Sequence, residues 1–477
     1  GNLDKSLWDA KQYLKDNHIH FQPGVNEELA ATAVWGSQQT SLFPGARYDG
    51  VFAMWYGKGP GVDRCGDVFK HGNSAGVSEH GGVLLLAGDD HGCKSSSIAN
   101  QSEHAFIAAS IPVLNPANVQ EILDYGIIGW ELSRYSGCWV ALKTIAENVD
   151  SSAVVDVDPL RMQVKIPEDF QLPEDGVHIR WPDPPLAQER RLNVYKIYAA
   201  RAFALANNLN QVKLDSPNPR LGIITTGKSY LDVRQALDDL GLDEALCAKV
   251  GLRVLKVGMS WPLEPVSVHQ FAEGLDEILV VEEKRSIIED QLTGQLYNWP
   301  VGKRPRVVGE FDEEGGSLLP NLGELTPAMI ARVIAKRLAP IYSSPVIEER
   351  LAFLDAKEKA LAAPKHKTVR TPHFCSGCPH NSSTKVPEGS RALGGIGCHY
   401  MTQWMDRSTD TFTQMGGEGA TWIGQAPFTD TPHVFQNLGD GTYFHSGHLA
   451  LRAAVASGVN ITYKILYNDA VAMTGGQ

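Results

Sequence analysis

The chain has 477 residues, of which 43% are hydrophobic and 21% are charged, and its formal net charge is −12. This composition is typical of a globular protein and excludes a fibrous or disordered one, while the length predicts about three domains. The acidic balance argues against nucleic-acid binding, which needs clustered Lys and Arg. No apolar run approaches the ~20 residues of a membrane span and no signal peptide is recognisable, so we predict a cytoplasmic protein without membrane contact.

The first predicted unit covers residues 1–215 and is of α/β type. Residues 26–37 have helical apolar spacing, and residues 188–208 predict a long helix. Apolar runs bounded by glycine at 50–55 and 82–87 predict buried strands of a parallel sheet. The second run leads directly into Asp89-Asp90-His91, which is either an active-site loop or a solvated turn.

A second α/β unit is predicted at 216–312, where strand patterns begin at Leu221, Leu252 and Glu277. Residues 313–370 are mostly helical and charged, which indicates a connector. The last unit, 371–477, holds the motifs that carry chemistry. Because the chain starts with Gly rather than Met and ends nine residues after a predicted metal ligand, we expect it to be part of a larger protein.

A Gly-Asp-Gly turn in the last unit is followed after 26 residues by Asn468. Residues 448–457 predict a helix that ends at Gly458, and residues 461–467 predict a strand. The segment therefore predicts a βαβ unit whose polar residues lie at the carboxyl edge of a parallel sheet, where ligands bind.

This turn has the residue types of a diphosphate and magnesium site. Gly439 and Gly441 allow the backbone to approach a diphosphate closely. Mg²⁺ prefers oxygen ligands, and Asp440, Asn468 and the carbonyl of Ala470 are the candidates. The pattern indicates a thiamine diphosphate site, with an ordinary Gly-Asp-Gly turn as the alternative.

Seven cysteines in a long chain do not indicate a disulfide framework, but three of them form a cluster in sequence. Cys375 and Cys378 form a CxxC pair, and Cys398 follows in a glycine-rich segment. With His380 or His399 these thiols would complete a zinc site, whereas a [4Fe–4S] cluster would need a fourth cysteine from elsewhere. Reduced, unliganded thiols are a third reading. The diphosphate motif in the same unit favours the cluster, because oxidising a 2-oxo acid releases electrons.

Activation of thiamine diphosphate needs a carboxylate beside its aminopyrimidine ring. Glu27 is the candidate, since it opens a helix whose small residues would allow close packing against another domain. Alternatively, Glu27 and Glu28 only stabilise the helix N-terminus through its dipole.

Taken in order along the chain, these motifs resemble the 2-oxoacid:ferredoxin oxidoreductases. The similarity is greatest to the long, fused bacterial indolepyruvate ferredoxin oxidoreductases, and it extends over essentially the whole chain. The segments that carry it are residues 26–36, 55–64, 134–140, 375–381, 395–398, 439–441 and 467–469.

The resemblance implies an α/β fold with several thiamine diphosphate-binding-type, doubly wound parallel-sheet domains. These are a pyrimidine-type domain at 1–215, a transketolase C-terminal-like domain at 216–312, the helical connector at 313–370 and a diphosphate-binding domain at 371–477.

The resemblance also implies residue roles. Glu27 activates thiamine diphosphate, Asp440 and Asn468 bind Mg²⁺, and Gly416 and Gly417 lie in a glycine loop that contacts the cofactor. The cysteines at 375, 378 and 398 bind a [4Fe–4S] cluster.

The reaction implied is oxidative decarboxylation of an aryl 2-oxo acid, with indolepyruvate favoured, to an acyl-CoA and CO₂. The partners implied are coenzyme A, the 2-oxo acid and ferredoxin, which receives the electrons, and a homodimer or larger assembly is expected. One alternative is a non-oxidative thiamine-dependent decarboxylase or transferase with a structural zinc. A catalytically inactive scaffold is another.

Overall fold

The computed structural model of the protein describes residues 3–362 and 370–467. The α-helices are α1 Leu3–Asp9, α2 Lys11–Asp16, α3 Glu27–Gln38, α4 Gly59–Arg64, α5 Gly66–Ala75, α6 Glu103–Ala108, α7 Val119–Ser136, α8 Ala146–Val149, α9 Pro185–Arg190, α10 Ile197–Ala206, α11 Gly227–Asp239, α12 Glu244–Val250, α13 Pro265–Ala272, α14 Ile288–Leu296, α15 Pro327–Leu338, α16 Pro345–Ala362, α17 His380–Ser383, α18 Ala420–Gln425, α19 Asp440–Thr442 and α20 His448–Ser457. The strands are β1 Phe52–Lys58, β2 Gly82–Asp89, β3 Val113–Leu114, β4 Val140–Ile145, β5 Gln211–Leu214, β6 Leu221–Thr226, β7 Leu252–Val257, β8 Met259–Trp261, β9 Glu277–Val281, β10 Arg306–Val308, β11 Ala392–Gly394, β12 Thr409–Phe412, β13 Val434–Gly439 and β14 Ile461–Leu466.

The chain packs into two compact units. The large unit is Glu27–Ala363, and the small unit combines Gly1–Asn26 with Pro364–Gln477. The four domain ranges expected from the sequence stay a prediction.

The large unit contains two five-stranded sheets. The first has the order β1-β2-β4-β3-β8, in which only β8 is antiparallel to its neighbour, and the second has the order β10-β9-β6-β7-β5, in which only β5 is antiparallel. Strands β4 and β6 are buried along their whole length. This burial explains the apolar starts of both strands, residues 140–142 and 221–224, because helices cover both faces of such a sheet.

Among its described residues, the small unit contains a four-stranded parallel sheet with the order β12-β11-β13-β14. Its described core is formed by Leu393, Trp422 and Val434. With three sheets in which parallel pairs predominate, the predicted α/β fold class is confirmed.

The helix predicted at 188–208 is present as a helical segment that runs without a break over 185–206, and its type changes in the middle. A π-helical stretch, Arg191–Lys196, separates α9 from α10. Lys196 at its end is fully buried, and its Nζ donates to the carbonyls of Asn73 and Ser74 in the last turn of α5, at 3.1 Å each. An amine in this position satisfies carbonyls that a helix end leaves without partners.

Within residues 3–362 and 370–467, no helix is both long enough and apolar enough to cross a membrane.

Candidate active site

The predicted βαβ unit around Asp440 is present in the small unit. Strand β13 ends at Gly439 and Asp440 begins α19, while α20 leads into β14. The two strands are parallel neighbours, with Gly439 paired to Leu466. Asp440 therefore lies at the carboxyl edge of the sheet, where open α/β sheets bind ligands. Helix α20 ends at Gly458, which has φ of +70°, as expected for a left-handed helix terminus.

The loops that follow three adjacent strands meet at this edge. They are residues 395–398 after β11, 413–419 after β12 and 440–442 after β13. The hydroxyl of Thr442 donates to the carbonyl of Ile396 at 3.2 Å, which joins the third loop to the first. Gly441 N–H donates to Asp440 Oδ1 at 2.8 Å. Asn468 and Ala470 lie outside the described residues.

A buried histidine, His399, lies against the first glycine of the Gly-Asp-Gly turn. His399 is 1% exposed, and a Cβ added at Gly439 would lie 3.4 Å from its Cε1. Burial and the neighbouring His380 lower the pKa of His399 to about 4, so its ring is neutral at physiological pH. Gly439 therefore lets the turn pass close to an uncharged ring.

Two buried ring nitrogens face this region without a protein partner. Among the described residues, neither His380 Nδ1 nor His399 Nε2 finds a hydrogen-bond partner, and their rings lie 6.5 Å apart. Burial lowers the pKa of His380, whereas Asp440 raises it.

Gly416 in the second loop has φ of +90°, a conformation that favours glycine. A carboxylate at a sheet edge, glycine loops and free polar atoms fit a diphosphate with Mg²⁺.

The CxxC turn is preorganised by its own backbone. The N–H of Cys378 donates to the carbonyl of Cys375 at 3.1 Å, and the Asn381 side chain donates to both cysteine carbonyls at 3.0 and 3.1 Å. Burial raises the pKa of Cys398, and the thiols of Cys378 and Cys375 raise it further. The other two thiols therefore lie close enough to Cys398 to change its pKa.

In the part of the chain that the structure describes, no three His, Cys, Asp or Glu side chains are assembled at ligand spacing around a metal position. By donor chemistry the three cysteines fit a thiophilic centre, since soft thiolates select zinc or iron–sulfur clusters. Binding either would remove the thiol protons.

Glu27 lies in the large unit at the start of α3. Its carbonyl accepts a hydrogen bond from Trp55 Nε1 at 3.0 Å, and its Oε2 lies 3.8 Å from Nε of Arg64. A Cβ added at Gly61 would lie 2.7 Å from the Glu27 Cγ, so the side chain packs directly on the backbone of α4. Among the small residues of α3, Ala31 is buried in the core of its own unit. The role of Glu27 stays a prediction.

The Asp89-Asp90-His91 segment is buried, so the alternative of a solvated turn is wrong. Asp89 accepts hydrogen bonds from the backbone and hydroxyl of Ser102, and it lies 3.7 Å from the Lys143 ammonium. Lys143 also pairs with Glu103. This cluster of buried charges joins the end of β2 to α6 and β4 within the large unit.

Replacing Lys143 by methionine is expected to destabilise the large unit by about 3 kcal/mol. The change leaves two buried carboxylates without their cation, and breaking a buried ion pair from one side costs about 3–5 kcal/mol. Urea denaturation measures the effect. Lys336, whose side chain is 59% exposed and pairs with Asp312, is the control. Lys336→Met should cost less than about 1 kcal/mol, and equal costs for the two variants would contradict the buried cluster.

Comparison with known proteins identifies two domains of the chain. The model of the indolepyruvate ferredoxin oxidoreductase middle domain matches residues 209–364, and that of the C-terminal TPP-binding domain of thiamine pyrophosphate enzymes matches residues 395–477. The second match contains the Gly-Asp-Gly turn.

Full-length relatives agree with these matches. Indolepyruvate oxidoreductase subunit IorA of Methanothermobacter marburgensis is 28% identical over 472 residues, which cover 96% of this chain and 69% of that protein. The subunit IorA of Thermococcus kodakarensis is 25% identical over 482 residues, with the same coverage. The chain is similar to indolepyruvate oxidoreductase subunits over nearly its whole length. The predicted resemblance to the 2-oxoacid:ferredoxin oxidoreductases is confirmed, and so is the prediction of an oxidoreductase enzyme with a thiamine diphosphate-binding domain.

Among solved structures, a 2-oxoglutarate:ferredoxin oxidoreductase from Magnetococcus marinus aligns with a TM-score of 0.46 and 14% identity. The alignment covers 69% of this chain and 59% of that chain, so this chain spans less than two thirds of it.

Sequence reasoning missed two residues of this site. Glu418 is fully buried between the loops after β11 and β12, and His399 was considered only as a zinc ligand although it packs on Gly439. The signal for Glu418 was a single acid among glycines at 416–419, in a loop that follows a strand. No local pattern indicates the packing of His399, because residues 399 and 439 meet only in the folded sheet.

Proposed function

We propose that this chain carries the thiamine diphosphate site of an enzyme that oxidatively decarboxylates an aryl 2-oxo acid, foremost indolepyruvate, to an acyl-CoA and CO₂. Electrons leave through a [4Fe–4S] cluster to ferredoxin. The observation that carries the proposal is that the Gly-Asp-Gly turn and the three clustered cysteines belong to one compact unit. A hydrogen bond connects the two motifs, because the hydroxyl of Thr442, two residues after Asp440, donates to the carbonyl of Ile396, two residues before Cys398.

The roles of the residues follow from their chemistry. Asp440 binds Mg²⁺ through carboxylate oxygen, and the loops containing Gly416, Gly417, Gly439 and Gly441 bring backbone N–H groups to the diphosphate. Bound thiamine diphosphate supplies the electron sink for decarboxylation.

The remaining roles concern protons and electrons. Glu27 holds the proton that the aminopyrimidine ring exchanges, and packing on α4 keeps its side chain in place. Cys375, Cys378 and Cys398 bind the cluster, which accepts electrons one at a time. Asn468 and the carbonyl of Ala470 complete the proposed Mg²⁺ ligands. A homodimer or larger assembly and a cytoplasmic location belong to the same proposal.

The full chain purified without oxygen tests the cluster. We expect a brown protein with broad absorbance near ~400 nm, the thiolate-to-iron region, and bound iron and sulfide. Cys378→Ser should remove most of the absorbance, because it deletes one thiolate of the CxxC turn. Cys247→Ser is the matched control, since Cys247 is a buried thiol of the large unit.

Colourless protein with stoichiometric zinc would contradict the cluster and favour a second function, a non-oxidative thiamine-dependent decarboxylase or transferase. The specific observation behind it is that His380 and His399 follow Cys378 and Cys398 closely in the chain, and each has a buried ring nitrogen without a partner among the described residues. Reduction of ferredoxin or a viologen dye with a panel of 2-oxo acids and coenzyme A separates the two functions and ranks the substrates. Absence of turnover with every 2-oxo acid would favour the inactive scaffold.

A further inference from the structure

Glu418 is a buried carboxylate in the glycine loop after β12. Its exposed fraction is 0%, and the residues on both sides of it are glycines. A Cβ added at Gly395 would lie 2.5 Å from the Glu418 Cγ, so the side chain fills the space that this glycine leaves open. Burying a carboxylate is costly unless hydrogen bonds satisfy it.

Backbone groups of two different loops satisfy this carboxylate. Oε2 accepts from the N–H of Gly416 at 2.7 Å, and Oε1 accepts from the N–H of Ile396 at 3.4 Å. The first bond closes the glycine loop on itself. The second reaches across to the segment that leads from β11 to Cys398.

The same contacts continue to the other two strands of the sheet. The Ile396 carbonyl accepts from the hydroxyl of Thr442, beside the Gly-Asp-Gly turn. The hydroxyl of Tyr463 on β14 donates to the Glu418 carbonyl at 2.9 Å. Hydrogen bonds of Glu418 and Ile396 therefore connect the loops after β12, β11 and β13 with one another and with strand β14.

Two bonds from N–H donors, one to each oxygen, favour the ionised carboxylate, which only accepts hydrogen bonds. Burial raises the pKa of Glu418, whereas the N–H groups and His445 act in the opposite direction. Burial raises the pKa of Tyr463 to about 12, with a smaller contribution from the charge of Glu418.

We propose that Glu418 is a positioning residue of the diphosphate site, whose carboxylate ties the glycine loop after β12 to the segment Gly395–Cys398. It holds the proposed cofactor loop, the Mg²⁺ turn and the third cluster cysteine in one arrangement. This inference rests on the proposed function, and it adds a residue that touches neither the cofactor nor the metal.

Glu418→Gln is the sharpest variant. Glutamine keeps the volume of the side chain, but its NH₂ group takes the place of one carboxylate oxygen. That NH₂ group then faces a backbone N–H and cannot accept from it, so one of the two hydrogen bonds is lost. The matched control is Glu388→Gln, an exposed glutamate of the same unit. Thr442→Val removes one hydroxyl of the same chain of bonds and serves as a second, milder variant.

Two readouts on the full chain test the proposal. In the cofactor-free protein, hydrogen exchange at Ile396 or Gly416 should become at least about tenfold faster in Glu418→Gln, because one charge-assisted bond is missing. Titration with thiamine diphosphate and Mg²⁺ should show binding weakened at least about tenfold. Glu388→Gln should match the wild type in both readouts, and Thr442→Val should weaken binding by a smaller factor.

The pH dependence of binding separates positioning from a merely structural role. Protonation of Glu418 removes an acceptor, so wild-type affinity should fall as the pH falls through its raised pKa. Glu418→Gln should lack this component, whereas Glu388→Gln should retain it. The charged and titratable groups that act on this carboxylate are His445 and Tyr463, and both are present in all variants.

Unchanged cofactor affinity in Glu418→Gln, with a wild type that binds thiamine diphosphate, would overturn the positioning role alone. A wild type that fails to bind thiamine diphosphate with Mg²⁺ would overturn the proposed function and the positioning role together. If Glu418→Gln does not fold, the outcome rests on Thr442→Val. Wild-type affinity in that variant would overturn the connected chain of bonds.

Discussion

Asp440→Ala is expected to abolish the binding of thiamine diphosphate with Mg²⁺. Asp440 is a carboxylate at the carboxyl edge, directly after β13, and its removal deprives the ion of a charged oxygen ligand. Even outer-sphere partners of a bound metal contribute about 10- to 100-fold to affinity, so loss of a ligand should cost at least about 100-fold. Calorimetric titration of the full chain measures this loss.

Asp410→Ala is the control for this experiment. Asp410 lies on β12 of the same unit, its side chain is 70% exposed, and it lies 3.7 Å from Arg391. Its replacement should leave cofactor affinity within about twofold, since exposed ion pairs contribute little. If Asp440→Ala binds the cofactor as tightly as Asp410→Ala, the Gly-Asp-Gly turn is an ordinary turn.

Glu27→Gln is expected to lower kcat by about 10³-fold while thiamine diphosphate affinity changes little. Proton transfer by a positioned side chain is worth about 10²- to 10⁴-fold, and glutamine cannot exchange the proton. The shape of the side chain is retained, so its packing on Gly61 and the Trp55 bond to its carbonyl should persist. Steady-state dye reduction, together with a binding titration, separates the two quantities.

Glu28→Gln provides the matched control, because Glu28 is the exposed neighbour in the same helix turn. It tests the alternative in which both acids only stabilise the start of α3. That alternative predicts equal, small effects of the two substitutions on stability and full activity in each. A wild-type kcat in Glu27→Gln would contradict its role as the activating base.

Much of the fold follows from local pattern. The helix predicted at 448–457 is α20 itself, and the strand pattern that begins at Leu221 is β6. Both segments have strong periodicity or continuous apolar character, and glycine marks their ends. The strand predicted at 50–55 is β1, which begins two residues later and extends to Lys58. Its ends are hard to predict because exposed and partly buried residues interrupt the apolar pattern.

Sheet membership was not predictable in the same way. Strand β8, only three residues long, leaves the second predicted unit and pairs antiparallel with β3 of the first sheet. A strand this short has no periodicity to detect, and its partner lies about 145 positions earlier in the chain. The π-helical stretch before α10 was likewise not predictable, because the local apolar pattern indicates a helix but not its type.

Residue type and spacing along the chain were enough to identify the α/β class, the Gly-Asp-Gly turn at a strand end and the three clustered cysteines. Each of these features is encoded by residues that are close together in the sequence. Folding alone brings Ile396 between Glu418 and Thr442, and His399 against Gly439. These contacts depend on β12, β11 and β13 lying side by side in an order that differs from their order in the chain. Long-range strand pairing has no local signature, so the support of the site becomes visible only in the assembled sheet.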